Sequence, residues 1–413
     1  MVYIIDEIMG RGKTTAMIRH LLAGDIPSPI LFVTPYRTEI DRVMSTCAAV
    51  GFVTPESDDH KFVEAKQMMA EKKNIVSTHA LFGMFDLEAE RLVRENGYTL
   101  ILDETPNIIS IVDVSRYDAR SLFAQHLEFS EDGLLNWITP DYTGRFEVYK
   151  HYAESGNTYR YNNQTWLRIT RKETFESFRN VYMMTYMFAG STVKPYFDML
   201  NIAYEPLYIG GDDPSNYHLS LSPQPGPGYD YHNLIDILDD DKMNAIGDDV
   251  YALSKNWFTK HSYDGSLDVL RNNTYNFFRH KARSRSTDSM WTVFKSTEWN
   301  DDQETKTLWV DMVGCDGYRK GFVPCSARGT NQYRHKTALA FLVNRFQNAP
   351  IRNMFSQRGI QSNDDFFGLS EMLQWVWRSA IRDGNPIQLY LPSSRMRNLL
   401  TQWIDDTSKG VRY

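Results

Sequence analysis

Three features of the 413-residue sequence predict an α/β fold built on parallel sheets. The chain opens with an apolar run of strand length, Val2-Tyr3-Ile4-Ile5, breaks at Gly10 and Gly12, and passes through Lys13-Thr14 into an amphipathic segment, residues 16–22. Short apolar runs then alternate with segments of helical period, the pattern of strands joined by crossover helices. A further apolar run, Tyr98-Thr99-Leu100-Ile101-Leu102, ends in the adjacent carboxylates Asp103 and Glu104. Unpaired charge at the end of a buried strand is costly, so such a pair has to be used or satisfied.

The first stretch has the chemistry of a phosphate loop. Triphosphate oxygens need backbone N–H groups at a helix start, glycines that let the backbone approach, a lysine for charge and a hydroxyl for Mg²⁺. Gly12-Lys13-Thr14 supplies the centre of this. The usual first glycine, five places before Gly12, is Glu7 here, and the variant with a glycine at position 10 fits instead. The bland alternative is a glycine-rich turn with an exposed lysine. Asp103 would hold Mg²⁺ through water and Glu104 would orient or deprotonate the attacking water, so the two stretches together complete one hydrolytic site.

Composition bounds the rest. A hydrophobic fraction of 42% and an aromatic fraction of 13% indicate a folded chain, and the length calls for two domains or one with large insertions. No apolar run reaches the roughly 20 residues of a membrane span. Asp6, Glu7 and Arg11 interrupt the first apolar run, so no signal peptide is expected. Cys47, Cys315 and Cys325 lack metal spacing, which suits a reduced, cytoplasmic compartment. The net charge of −7 is divided unequally: residues 1–249 carry 22 Lys plus Arg against 37 Asp plus Glu, and residues 250–413 carry 23 against 15. The balances are therefore −15 and +8, and the second half is the better carrier of a polyanion.

In the first half, Ile30-Leu31-Phe32-Val33 reads as a buried strand that ends in Thr34-Pro35-Tyr36. Helices are expected over 38–49 and 61–72, and a strand over 74–77 delivers Thr78 and His79 to its carboxyl end. Residues 127–170 read as a β-rich insertion, with strands over 146–149, 158–161 and 165–169. Its Tyr159, Tyr161, Trp166, Arg160 and Arg168 would either stack on bases or, more ordinarily, pack across strands. A helix over 172–179 and a strand over 181–187 follow. Gly, Pro, Ser and Asp dominate 210–228, marking a boundary, and Asp239-Asp240-Asp241 is read as a solvated charge run.

In the second half, a helix over 267–285 ends in a basic run containing Arg279, Lys281, Arg283 and Arg285. Strands are expected over 290–294 and 306–313, then a strand from 321 that breaks into a loop carrying Ser326, Arg328, Gly329 and Thr330. Helices over 336–346 and 369–382, a strand over 387–391 and a helix over 395–404 complete the chain. Gln374, Arg378 and Arg382, spaced four and four, would share a helix face.

With these residues in view, the chain resembles superfamily 2 helicases, most closely the small helicase-like proteins encoded by bacteriophages. Met9-Gly10-Arg11-Gly12-Lys13-Thr14 resembles motif I, Thr34-Pro35-Tyr36 motif Ia, Ser77-Thr78-His79 motif Ib and Asp103-Glu104-Thr105-Pro106 a DExx box. Ala189-Gly190-Ser191 lies where motif III would be, residues 326–331 resemble motif V and residues 374–382 motif VI. The resemblance implies two RecA-like lobes with parallel sheets, lobe 1 at 1–205 with its insertion, a connector at 206–249 and lobe 2 at 250–413. It further implies ATP and Mg²⁺ between the lobes. Gly10, Arg11, Gly12, Lys13, Thr14 and Thr15 would bind phosphate, Thr14 and Asp103 the metal, and Gly329 and Gln374 would complete the nucleotide site. Lys13, Glu104 and either Arg378 or Arg382 would be catalytic, the later arginine being favoured as the finger. The spacing of the two arginines and the residue before Arg378 depart from the family pattern, and no upstream adenine-reading motif fits before the loop. Nucleic acid, DNA ahead of RNA, would lie on Thr34, Pro35, Thr78, His79, Ser326, Arg328 and Thr330 and on the basic run. Replication or recombination proteins would be the partners. Three other functions suit part of the pattern: a nucleoside kinase, a packaging-type motor whose second domain is a nuclease using Asp311 and Asp316, and a nucleotide-gated loading module that does not unwind.

Overall fold

The computed structural model describes residues 1–57, 60–224, 230–295, 309–327 and 332–412. The chain divides into two compact units. Unit 1 comprises Met1–Ile8, Gly12–Gln224 and Asn348–Ser362; unit 2 comprises Met9–Arg11, Pro225–Gln347 and Asn363–Tyr413.

Unit 1 is built on strands β1 (Val2–Asp6), β2 (Ile30–Thr34), β3 (Ile75–Thr78) and β4 (Thr99–Asp103). An insertion follows, with β5 (Ile109–Asp113), β6 (Leu127–Phe129), β7 (Leu135–Trp137), β8 (Thr158–Arg160) and β9 (Thr165–Ile169). The main sheet then resumes with β10 (Asn180–Thr185), β11 (Tyr204–Gly210) and β12 (His218–Ser220). Its order is β12-β11-β1-β10-β4-β2-β3, parallel throughout except for β12. Alternation along the strands feeds two cores. Ile4, Leu31, Leu100, Leu102 and Met183 point to one face, while Ile5, Phe32, Ile101 and Met184 point to the other, against Ala16, Met17 and Leu21 of the first helix, α1 (Lys13–Ala23). Strands covered on both faces explain why these runs are apolar without a gap.

The insertion begins earlier than the turn chemistry suggested, because β5 pairs antiparallel with β9. Residues 146–149, expected as a strand, lead into a helix, Glu147–Glu154. The stacking alternative for Trp166 fails: the ring is fully buried against Phe123, Phe129 and Tyr149 in a core that belongs to the insertion itself. Residues 206–249, expected as a connector, supply most of β11, all of β12 and the first strand of the second sheet. The helix Ala349–Gln357 returns to unit 1, where Ile351, Met354 and Phe355 join the larger core.

Unit 2 carries β13 (Ile235–Ile237), β14 (Ser289–Thr292), β15 (Ala338–Phe341) and β16 (Ile387–Tyr390) in an all-parallel sheet of order β13-β16-β15-β14. Three expectations are corrected here. Residues 336–346 contain β15 (Ala338–Phe341) and no helix, since an apolar run buried on both faces has no period to read. Residues 309–313 form a helix, Trp309–Val313, and not a strand; 306–308 lie outside the described residues. The helix expected over 369–382 is Asp364–Val376 and stops there. Large side chains fill the unit, and the buried indoles of Trp291, Trp309 and Trp375 donate to Tyr318 O, Ser262 Oγ and Val323 O.

Candidate nucleotide-hydrolysing site

β10 lies between β1 and β4, so the carboxyl ends of all three open on the same edge of the sheet. At β1 the chain leaves through Gly10 (φ 84°) and Gly12 (φ 85°), both in the left-handed region that glycine adopts without strain. Gly12 caps α1, and the ring of Tyr217 packs on it so closely that a Cβ there would lie 2.2 Å from the Tyr217 Cε2. The Lys13 ammonium donates to Glu7 O and, at 3.1 Å, to Ile8 O, so the loop folds around its own lysine. Burial pushes the Lys13 pKa down, while Asp6, Asp103, Glu7 and Glu104 pull it back up. Glu7, standing where the strict motif has glycine, accepts from Ile209 N at 3.4 Å and so ties the loop to β11.

From β4, the Asp103 Oδ1 accepts the Thr14 hydroxyl at 3.3 Å. This single contact joins two stretches 89 residues apart in the chain. Burial, reinforced by Glu104, pushes the Asp103 carboxyl up to about 7, and Arg42 and Lys13 only partly oppose it. Glu104 has φ 70°, uncommon for any residue with a side chain, and its N–H is held by Met184 O at 2.9 Å. The backbone turns sharply here, directly after the strand.

Asp6, the last residue of β1, is a site residue that the sequence reading missed. Its Oδ2 accepts the Phe188 N–H at 2.8 Å, tying the phosphate-loop strand to the turn Phe188–Gly190 after β10. Its Oδ1 is shielded from solvent with no hydrogen-bond partner, and burial raises its pKa to about 6.

The other expected residues are placed as follows. Arg11 is buried and Thr15 half-buried. Thr34 is fully buried and its hydroxyl accepts the Tyr36 N–H, a turn-forming role, while Pro35 stays half-buried. Thr78 caps the short helix His79–Phe82 by accepting from Leu81 N. In unit 2, Gln374 donates to Ser370 within its own helix. Arg378 lies beyond the helix end and is 6% exposed, and Arg382 sits in a 3₁₀ turn, Ala380–Asp383, so the three do not share one helical face. Ser326 is exposed in a turn; Arg328, Gly329 and Thr330 lie outside the described residues. Arg279, Lys281, Arg283 and Arg285 are all exposed, the first two within the helical turn Phe277–Lys281 that buried Phe277 and Phe278 anchor and the other two just beyond it, and Lys281 pairs with Asp240 at 2.8 Å. Asp311 sits within a helix and Asp316 is exposed, which removes the strand-end geometry on which the nuclease alternative depended. Among the described residues no cluster of three His, Cys, Asp or Glu is placed to hold a metal, and no helix is long and apolar enough to cross a membrane.

The fold and site define a two-unit α/β protein whose first unit joins the Gly12-capped helix start, with Lys13 and Thr14, to an acidic strand end. Residues 229–404 match the model of the YonV C-terminal Rossmann-like domain. The whole chain is 36% identical over 424 residues to the SPbeta prophage-derived uncharacterized protein YonV of Bacillus subtilis (strain 168), covering 98% of this chain and 99% of that one. The chain belongs to the YonV family. Among solved structures it is similar to Xpd4 of S. tokodaii, at 9% identity and a TM-score of 0.49, over 98% of this chain and 94% of that one.

Proposed function

We propose that this protein is an ATP-dependent nucleic-acid helicase or translocase that hydrolyses ATP with Mg²⁺ at the β1 and β4 strand ends. The observation that carries the reading is the Thr14 to Asp103 contact beside Lys13, because hydroxyl, carboxylate and ammonium there occupy the three roles a phosphoryl-transfer site requires. The residues fit a magnesium nucleotide. A carboxyl held up to about 7 by burial and a neighbouring carboxylate favours a cation, and the left-handed glycines keep the loop backbone open to an anion. Thr14 and Asp103 would hold the metal, which when bound neutralises phosphate charge. Lys13 exchanges its carbonyl partners for phosphate oxygens. Glu104, on the left-handed turn directly after β4, would orient the attacking water and take its proton. The nucleic-acid assignment rests on the sequence resemblance and on the exposed basic run of unit 2.

The test is ATP turnover by the full chain with and without single-stranded DNA, duplex and RNA, followed by strand displacement. Lys13→Ala is expected to abolish turnover with the melting temperature retained, since this lysine serves the loop and not a core. Unaltered turnover in that variant would refute the nucleotide site.

A further inference from the structure

A cavity lies in the insertion of unit 1, away from the phosphate loop in sequence. Arg116 and Arg120 stand one turn apart on the helix Arg116–Gln125, and Arg160 reaches the same cavity from β8. The cavity, about 550 Å³, has Phe123 and Phe129 as its aromatic wall, their centroids 5.2 Å apart, and Asn163 and Gln164 of the β8–β9 turn at its rim. That volume falls within the roughly 300–1,000 Å³ of small-ligand sites.

Local stability does not explain these arginines. Like charges four residues apart repel, and Arg116 in the first helical turn also opposes the helix dipole. The same helix shows the ordinary solution on another face, where Asp118 pairs with Arg145 at 2.6 Å. Arg116 and Arg120, both exposed, have no carboxylate partner among the described residues. Arg160 lies 5.5 Å over the Phe129 ring and donates to Asn163 Oδ1 at 2.6 Å, which fixes its plane beside the cavity. The first half of the chain is acidic overall, so three arginines facing one cavity stand against the local background.

We infer that this cavity binds the nucleotide units of a single nucleic-acid strand, the arginines taking phosphate and the Phe123/Phe129 wall taking a base face. Arginine with an aromatic surface and amide groups is the chemistry of single-strand sites, whereas an acidic peptide would leave the aromatic wall unused. The inference deepens the proposed function by placing strand contacts in unit 1, but its test does not depend on hydrolysis.

The experiment measures binding of labelled oligo(dT) of about a dozen nucleotides, and of dTMP, to the full chain across a salt series without ATP. Arg116→Gln/Arg120→Gln is expected to weaken oligo(dT) at least tenfold near 0.1 M salt and to flatten the log K against log salt slope by about 1.4, for two phosphate contacts on a single strand. Arg160→Gln, on a different element, should weaken it in the same direction with its fold retained by circular dichroism. Weakening confined to oligo(dT) assigns a polymer strand; a matching effect on dTMP assigns a free nucleotide of the same chemistry. Unchanged affinity and slope in both variants would overturn the site. Binding that vanishes in Lys13→Ala but survives the arginine changes would overturn it too, by returning the ligand to the phosphate loop. A chain that fails to hydrolyse ATP yet shows the expected arginine dependence would sink only the hydrolase reading.

Discussion

Asp6→Asn should stabilise the protein, and only above mildly acidic pH. The Asp6 carboxyl is raised from an ordinary 3.8 to about 6 by burial, partly offset by the Phe188 N–H and by Lys13, and its Oδ1 has no hydrogen-bond partner. The folded state therefore binds this proton more tightly than the unfolded chain does. Below 3.8 both states are protonated and the residue contributes no pH dependence. Between 3.8 and about 6 the folded state holds more protons, so stability falls as pH rises, and the fall is complete once pH passes 6. A difference of about 2 in pKa corresponds to about 3 kcal/mol, and the exposed part of the residue brings the expected figure to about 2 kcal/mol. Asparagine keeps an oxygen for the Phe188 N–H and carries no charge. Urea unfolding of both proteins in EDTA, without nucleotide, should give equal stabilities near pH 4 and an Asn variant ahead by about 2 kcal/mol at pH 8. Parallel curves from pH 4 to 8 would refute the reasoning. A fall in turnover alongside the gain in stability would show that Asp6 is kept for the site, as strained or charged functional positions often are.

Three further outcomes are expected. Gly12→Ala should destabilise the chain and stop turnover, because its φ of 85° and the Tyr217 ring 2.2 Å from the new Cβ both oppose it; adding Tyr217→Ala removes the clash but leaves about 1 kcal/mol of backbone strain, so melting should recover only in part. Replacing Arg279, Lys281, Arg283 and Arg285 by Gln should flatten the salt dependence of single-strand binding by about 0.7 for each phosphate no longer neutralised, and an unchanged slope would leave the run as a solvated surface. Arg378→Ala should chiefly lower the melting temperature, since that side chain is buried, whereas Arg382→Ala should slow turnover about 10³-fold with ATP affinity little changed; if neither slows it, unit 2 supplies no finger.

The first unit was legible because its signals are local. A strand that must break into a loop at Gly12, and a strand that must end at Asp103, are each written in consecutive residues, and parallel pairing brings their ends to one edge. The residues that were missed act through partners remote in sequence. Asp6 meets Phe188 across 182 positions, and Tyr217 reaches Gly12 from the β11–β12 connection. Nothing in the neighbourhood of either residue announces that contact. The insertion shows the same division: the turn at Asn162-Asn163 fixed the β8–β9 hairpin, but its pairing with β5 required knowing which strand would return.

In the second unit two of the misreadings share a physical origin. Where both faces of an element are covered, hydrophobic period carries no information, so Ala338-Leu339-Ala340-Phe341-Leu342-Val343, with its good helix formers, reads as a helix, whereas its first four residues fold as β15. Apolar bulk likewise hid the end of the helix at Val376. Leu373, Trp375, Val376 and Trp377 continue the apolar pattern, yet Ser379 is fully buried with extended backbone, its hydroxyl turned back to Val376 O at 2.6 Å. That break rotates Arg378 and Arg382 away from the face they would have shared with Gln374. The consequence for function is concrete: a three-residue stripe arguing for one phosphate-facing surface is replaced by a buried arginine and a half-buried one in different local structures. The two arginines therefore have to be separated by kinetics, and any transition-state role belongs to the one whose removal spares the fold.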